Sequence, residues 1–286
     1  MRIPKWHRYL LVPVVWCPMV LLGATPTVSS AQSVDDAKAP PKTYAVVSML
    51  GDRLSFVTRK FSMGSRTDHY DRRTEPFQND AIAKLVLQTM SAAVVAVAPG
   101  ARTELLELTL PPAQGDDRAS REDPLALASQ TLKNMVAGRG WDFIVLVGPR
   151  REPDPPAQMG PNLEGVGFYV DPGTPRGRPP STTSDGYIRS DRFISTFVSA
   201  QLWLLDAKTL DVLAAQPVYG FCRYASAKGD SLDPWHFFET EQLLRFLGSA
   251  IRNDLGEGTK SVMRKGTGLP PAAVRPHVAY CTHIYQ

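Results

Sequence analysis

Apolar residues recur along this chain with two different periods, and each period predicts a different kind of element. Stripes with a spacing near 3.6 residues predict three helices, which occupy about 80–98, 124–137 and 233–255. Asn79 and Asp80 are both residue types that cap a helix, and Asp123 followed by Pro124 is a typical helix start. The third stripe fades near Gly256 and Gly258, where we expect the helix to end.

Shorter apolar or alternating runs predict strands, which occupy about 44–50, 54–58, 105–110, 143–147, 166–170, 187–205 and 210–219. Gly51-Asp52-Arg53 lies between the first two runs and is a short hairpin signal. The run from Phe143 to Val147 is apolar at every position, which is typical of a central strand covered on both faces. Asp206-Ala-Lys-Thr209 predicts the turn of a long antiparallel hairpin.

This order of elements predicts an α+β protein with a mixed, largely antiparallel sheet and three main helices packed on it. We expect one domain over 44–265, preceded by a disordered leader at 32–43 and followed by a C-terminal tail at 266–286. Within the domain, 152–186 form a Pro- and Gly-rich excursion. A connection of this length is typical of functional or disordered segments.

The first 31 residues have the three parts of a signal peptide. Arg2, Lys5 and Arg8 precede an apolar stretch from Leu10 to Leu22, and Ser29-Ser30-Ala31 supplies small residues for cleavage. The apolar stretch is shorter than the roughly 20 residues that a membrane-spanning helix needs. We therefore predict cleavage near Gln32, a periplasmic or secreted location and no membrane span afterwards. An uncleaved anchor is the alternative.

Charge and cysteine content change once the leader is removed. The chain has 32 basic and 28 acidic residues, and the three basic residues of the leader reduce the first number to 29. This near neutrality argues against nucleic acid as a partner. Cys222 and Cys281 are the cysteines that remain, and in an oxidising compartment they are predicted to form a disulfide. Metal ligation by Cys281 and His283 is the weaker alternative, because further ligands at a recognisable spacing are missing.

The strand WDFIVLVG, the hairpin LWLLDAKTLDVLAA and a terminal amphipathic helix follow one another in an order that resembles bacterial envelope domains. The N-terminal domain of the TolB translocation protein and the curli-secretion lipoprotein domain are similar in this respect. The resemblance spans roughly 44–255. It implies a role in the envelope through binding, without catalysis. The lipoprotein members carry a lipobox, which this chain lacks.

The segment RKFSMGSRTDHYDRR at 59–73 is predicted to be a polar surface loop that holds the candidate site residues. Arg59, Arg66, Arg72 and Arg73 would bind an anionic envelope component or a partner protein, since guanidinium groups bind phosphate and carboxylate. Alternatively, oxygen and imidazole ligands for a metal would come from Asp68, His69 and Asp71. The third interpretation is a solvated loop with internal ion pairs.

A second candidate is the segment GVGFYVDPG, in which Phe168 and Tyr169 would join the sheet edge of a partner or else cover the domain's own core. Common catalytic and nucleotide-binding motifs are absent from the sequence. We therefore expect a non-catalytic binding or assembly module without a cofactor. The alternative is a periplasmic hydrolase or metal-binding protein that uses Asp68, His69 and Asp71 with a histidine from the C-terminal half.

Overall fold

The computed structural model describes residues 40–60, 69–77, 80–109, 123–150, 163–172, 193–224 and 239–270, all within one compact unit that begins at Pro40. The strands are β1 (Thr43–Ser48), β2 (Arg53–Lys60), β3 (His69–Pro76), β4 (Arg102–Glu107), β5 (Phe143–Pro149), β6 (Gly165–Asp171), β7 (Phe193–Asp206) and β8 (Val212–Tyr224). The helices are α1 (Ala81–Val97), α2 (Pro124–Val136), α3 (Thr240–Ala250) and α4 (Gly256–Thr267), and a π-helical turn (Ile251–Leu255) joins the last two.

Strand β7 runs the full length of the sheet and organises its other strands. On one side, β8 pairs with it along nearly its whole length as the predicted antiparallel hairpin. On the other side, β5 and β6 lie end to end, with β5 pairing Ala200–Asp206 and β6 pairing Phe193–Ser199. The sheet therefore has two halves that share β7 and β8.

The same division continues outward from β5 and β6. Strand β1 lies parallel to β5 and β2 lies parallel to β6, while β4 and β3 form the outer edges of the two halves. The predicted hairpin between β1 and β2 is wrong, because each strand is hydrogen-bonded to other neighbours on both sides. Gly51, with φ 62°, turns the chain from one half of the sheet into the other.

The predicted fold class is confirmed: one mixed sheet carries helices, with three parallel and four antiparallel strand pairs. Helices α1, α3 and α4 cover one face of the sheet, and α2 covers the other face beside β5. Strand β5 is buried from both sides, as its continuous apolar run predicts. Val145 and Val147 face the first helical layer, whereas Ile144 and Leu146 face α2.

The sequence predicts the N-terminal cap of α2 correctly but not that of α1, whose cap comes from a residue far away in the sequence. Asp123 accepts a hydrogen bond from the Leu125 backbone N–H at 3.1 Å, as predicted for α2. For α1, however, the Asp80 side chain makes no capping bond, and Asn79 lies outside the described residues. Asp52 supplies the cap instead, because its Oδ1 accepts from the Ile82 N–H at 2.9 Å. Asp52 belongs to the turn that was predicted to close a hairpin, and in the structure it caps the start of α1.

The terminal helix (240–267, comprising α3, the π-helical turn and α4) is longer than the sequence predicts. It starts with a capping box between Glu239 and Gln242, and Asp233 lies outside the described residues. It continues through Gly256 and Gly258 instead of fading there. Gly258 lies against Val218 of β8 so closely that a Cβ would clash, so the glycine allows the helix to pack on the sheet. No helix in the described part of the chain is long and apolar enough to cross a membrane.

Candidate functional site

The basic segment at 59–73 is largely strand where the structure describes it, so the predicted loop is wrong at both ends. Arg59 belongs to β2, and Arg72 and Arg73 belong to β3. Arg66 lies outside the described residues. Antiparallel pairing sets Val57 opposite Arg72 and Arg59 opposite Tyr70, so Arg59 and Arg72 share one face of the sheet. Arg73 lies on the other face, over the ring of Phe56 at 4.9 Å.

Arg59 is held in the sheet by a neighbouring strand. Its Nη1 lies 3.3 Å from Asp171 Oδ2 at the end of β6, and the two side chains are only 12% and 13% exposed. Beside the pair, an aromatic cluster is formed by Tyr70, Tyr169, Phe193, Phe197 and Phe221. This largely buried ion pair links the ends of β2 and β6, which the backbone ladder already pairs. Its geometry gives Arg59 a structural role in the sheet.

Two further ion pairs lie along β3, and both are exposed. Arg73 Nε is 3.1 Å from Glu75 Oε1, and Lys60 Nζ is 3.1 Å from Asp71 Oδ2. Exposed pairs contribute little to stability because water competes for the charges. They nevertheless match the third interpretation of the segment, in which its charges pair internally. The anion-binding hypothesis stays a prediction, with Arg59 and Arg73 engaged in ion pairs.

The structure describes only some of the residues that the metal hypothesis requires. Asp68 and the C-terminal histidines lie outside the described residues, and of His69 only the backbone position at the start of β3 is described. Asp71 is engaged with Lys60. No three histidine, cysteine, aspartate or glutamate residues come together as possible metal ligands in the described part of the chain.

The second candidate segment proves to be part of the core. Strand β6 is hydrogen-bonded to β2 on one side and to β7 on the other, so it has no edge left for a partner strand. Phe168 and Tyr169 are 1% and 5% exposed. The partner-binding interpretation of GVGFYVDPG is therefore wrong, and the alternative, a contribution to the domain's own core, is confirmed.

The predicted disulfide cannot be located, because Cys281 lies outside the described residues. Cys222 is buried in β8, opposite Thr196 of β7. In β8, Val218, Gly220 and Cys222 alternate toward the terminal helix, as the contacts of Gly258 with Val218 and of Gly220 with Asp254 show. The pairing of Cys222 with Cys281 stays a prediction.

Residues of β8 that point away from the terminal helix form the most exposed apolar surface on a strand in the described part of the molecule. Leu213 is 42% exposed, Val212 48% and Tyr219 49%, and Ala215 and Pro217 are exposed as well. We call this set (Val212, Leu213, Ala215, Pro217 and Tyr219) the β8 stripe. No charged residue occurs between Val212 and Cys222. Contiguous exposed apolar surface of this kind is typical of interaction sites.

The stripe lies at an edge of the sheet, since β8 pairs only with β7 among the described strands. Pro217 has no N–H to offer to an added strand. Its carbonyl oxygen already accepts a hydrogen bond from Gln216 Nε2 at 3.0 Å. A partner would therefore contact the stripe mainly through side chains and could not extend the sheet continuously past Pro217.

This surface was not predicted from the sequence, although the sequence contains a signal for it. The run VLAAQPVYGFC lacks charges over eleven residues while it alternates toward and away from the core. Alternation with polar residues outside is normal for an edge strand, whereas here apolar residues occupy both sides. That departure was the available clue.

Comparisons with known proteins add little to this description. No protein-family model matches the chain, and no curated protein matches it in sequence. The crystal structure of protein XCC0632 from Xanthomonas campestris, assigned to DUF330, is 9% identical and aligns over 81% of this chain and 90% of that chain, with a TM-score of 0.30. The hypothetical protein CT253 from Chlamydia trachomatis is 11% identical over 80% and 96%, with a TM-score of 0.25.

Proposed function

We propose that this chain is an exported, non-catalytic protein of the bacterial cell envelope that binds a partner protein through the β8 stripe. The leader, with its basic residues, apolar stretch and Ser-Ser-Ala site, supports export to the periplasm or the exterior. The exposed and uncharged stripe is the single observation that supports the binding role. An apolar surface requires an apolar counterpart, so the expected partner is a protein with an apolar patch.

Two other candidates from the sequence receive less support. An anionic envelope component would bind the arginines, but Arg59 and Arg73 pair with Asp171 and Glu75. A hydrolase or metal-binding protein would use Asp71, which pairs with Lys60. Stoichiometric metal in the purified exported chain would favour that second candidate over the binding module.

The test compares matched substitutions on two edge strands. Leu213→Lys combined with Tyr219→Lys places charges in the stripe, while Leu105→Lys places one on β4, where Leu105 is 43% exposed. Affinity purification after cross-linking of the envelope should recover a partner with the wild type and with Leu105→Lys, and should lose it with the double variant. Because all three positions are exposed, melting temperatures should stay close to the wild-type value.

Three results would count against the proposal. A partner retained by the double variant would exclude the stripe as its binding surface. A self-associated species that the double variant abolishes, without any other partner, would assign the stripe to contacts between copies of this chain. Intact-mass measurement that finds Met1 to Ala31 retained in a cytoplasmic protein would contradict export.

A further inference from the structure

A groove with a volume of about 440 Å³ lies between α1 and the terminal helix. It faces away from the sheet in the helical layer, whereas the β8 stripe lies on the other face, so the two surfaces are independent. Small residues create the groove: Ala92 and Ala96 on α1 and Gly256 on the terminal helix leave space between the two axes. Leu85 lies at one end, and its distance from Ala96 along α1 corresponds to roughly 16 Å.

The charged residues of the groove all have the same sign. Arg252 and Lys260 line it, and no acidic residue does. Eight residues separate them on the terminal helix, which corresponds to about 12 Å along the axis. Lys260 is already engaged, because its Nζ lies 2.7 Å from Glu257 Oε1. Arg252 is exposed, and it makes no ion pair with an acidic residue in the described part of the chain.

Arg252 belongs to the π-helical turn Ile251–Leu255. Such turns inside α-helices are rare and occur frequently at functional sites, because the extra residue redirects neighbouring side chains. In this turn Arg252 lines the groove, while Asp254 on the opposite side of the helix packs against Gly220 of β8. The π-helical turn therefore lies at the position where Arg252 lines the groove.

We propose that this groove binds a small amphiphile with an elongated apolar body and one anionic group, a carboxylate or a phosphate ester. Arg252 binds the anionic group with charge-assisted hydrogen bonds, while Lys260 stays paired with Glu257. Leu85, Ala92 and Ala96 contact the apolar body. Gln88 and Thr89 supply polar atoms that orient the ligand, so four of the nine residues that line the groove are polar or charged.

Titration calorimetry with four probes tests this on the purified exported chain. Dodecanoate and dodecyl phosphate, kept below their micellar concentrations, carry both features; dodecanol lacks the charge, and inorganic phosphate lacks the apolar body. We expect one site for each of the first two probes. Dodecanol should bind at least tenfold more weakly, inorganic phosphate should bind undetectably, and affinity for the charged amphiphiles should fall as salt rises.

Substitutions locate the site. Arg252→Gln should weaken dodecyl phosphate binding about tenfold, and Arg252→Lys should recover part of the loss, because it keeps the charge without the planar guanidinium. Ala92→Phe should fill the groove and abolish binding, and the residue is exposed, so the fold should tolerate it. Lys133→Gln on α2 removes another exposed cation, which lies outside the groove, and should leave binding unchanged.

Several outcomes would overturn the proposal. Equal affinity in the wild type, Arg252→Gln and Ala92→Phe would show that the amphiphile binds elsewhere. Inorganic phosphate that binds as well as dodecyl phosphate would reduce the groove to a simple anion site. Dodecanol that binds as well as dodecanoate would remove the role of Arg252. Loss of amphiphile binding in Leu213→Lys/Tyr219→Lys with retention in Ala92→Phe would move the site to the β8 stripe.

Discussion

Strands β3 and β8 both lie at edges of the same sheet, yet their side chains differ sharply. β3 reads HYDRRTEP, so half of its residues are charged, and Arg73 and Asp71 form exposed ion pairs with Glu75 and Lys60. β8 is longer and has no charged residue from Val212 to Cys222. Charged edge strands resist pairing with other chains, because a partner strand would have to desolvate the charges.

The difference indicates which edge is available to a partner. Charges protect β3, whereas β8 is interrupted by Pro217 and by a register shift beside Leu205 and leaves apolar side chains exposed. Keeping such a surface exposed carries a risk of aggregation, which an interaction would offset. We therefore interpret β3 as a closed edge and β8 as an edge that is covered in the functional complex.

Substitutions at the centre of the sheet should reduce the free energy of unfolding more than substitutions at either edge. Ile144 of β5 is fully buried between β7 and β1, so Ile144→Ala should lower the free energy of unfolding by about 2 to 5 kcal/mol. Leu105→Ala on the exposed side of β4 is the control, with a change of about 0.5 kcal/mol or less. Urea unfolding followed by circular dichroism measures both. Equal losses would mean that burial in the sheet does not follow the observed pattern.

The ion pairs near β3 allow the stability cost of breaking a nearly buried pair to be compared with that of breaking an exposed pair. Asp171→Asn removes the carboxylate that pairs with the nearly buried Arg59, and it should cost roughly 3 kcal/mol, at the low end for a broken buried pair. Asp71→Asn breaks the exposed pair with Lys60 and should cost less than about 1 kcal/mol. Thermal and urea unfolding of both variants check this difference. If Asp71→Asn lowered stability as much as Asp171→Asn, the ion pair between Asp71 and Lys60 would also be structural.

The smallest effect is expected at β4, the third edge. Partial burial, together with the nearby charges of Asp80 and Asp52, raises the pKa of Glu107, and Lys84 opposes this. The folded state thus binds the proton more tightly than the unfolded state, so stability is lost as pH rises through the raised pKa. Glu107→Gln should therefore raise the melting temperature slightly at pH 7, and the gain should shrink toward pH 4.

Lys84→Gln should change the melting temperature in the opposite direction to Glu107→Gln. It removes the charge that favours ionised Glu107, so it should lower the melting temperature at pH 7. The same sign of change in both variants would contradict the electrostatic explanation. Scanning calorimetry at several pH values distinguishes the two directions.

Much of the fold could be predicted from local patterns, because burial imposes them directly. The continuous apolar run of β5, the Asp123-Pro124 start of α2 and the turn at Asp206 all match the structure. In that turn the Asp206 side chain accepts hydrogen bonds from the N–H groups of Lys208 and Thr209, at 2.8 Å and 3.1 Å. These features depend on residues close together in sequence.

The errors share the opposite property, since they depend on contacts between distant residues. Strand β3 has a polar sequence, and β2 supplies the pairing that makes it a strand. The cap of α1 comes from Asp52, thirty residues before Ile82. Gly258 looks like a helix terminator until β8 lies against it. The β8 stripe was missed for a related reason, because the sequence alone does not show which strand lies at an edge.

Photo-cross-linking in living cells tests whether the β8 stripe is the binding surface. A photoreactive amino acid is placed at Tyr219 in the β8 stripe, at Leu105 on β4, or at the exposed Thr74 on β3. We expect that only the probe at position 219 forms a specific adduct with an envelope protein, and that Leu213→Lys in the same chain abolishes it. Adducts of equal yield from positions 105 or 74, or no adduct from 219, would contradict the assignment of β8 as the binding edge.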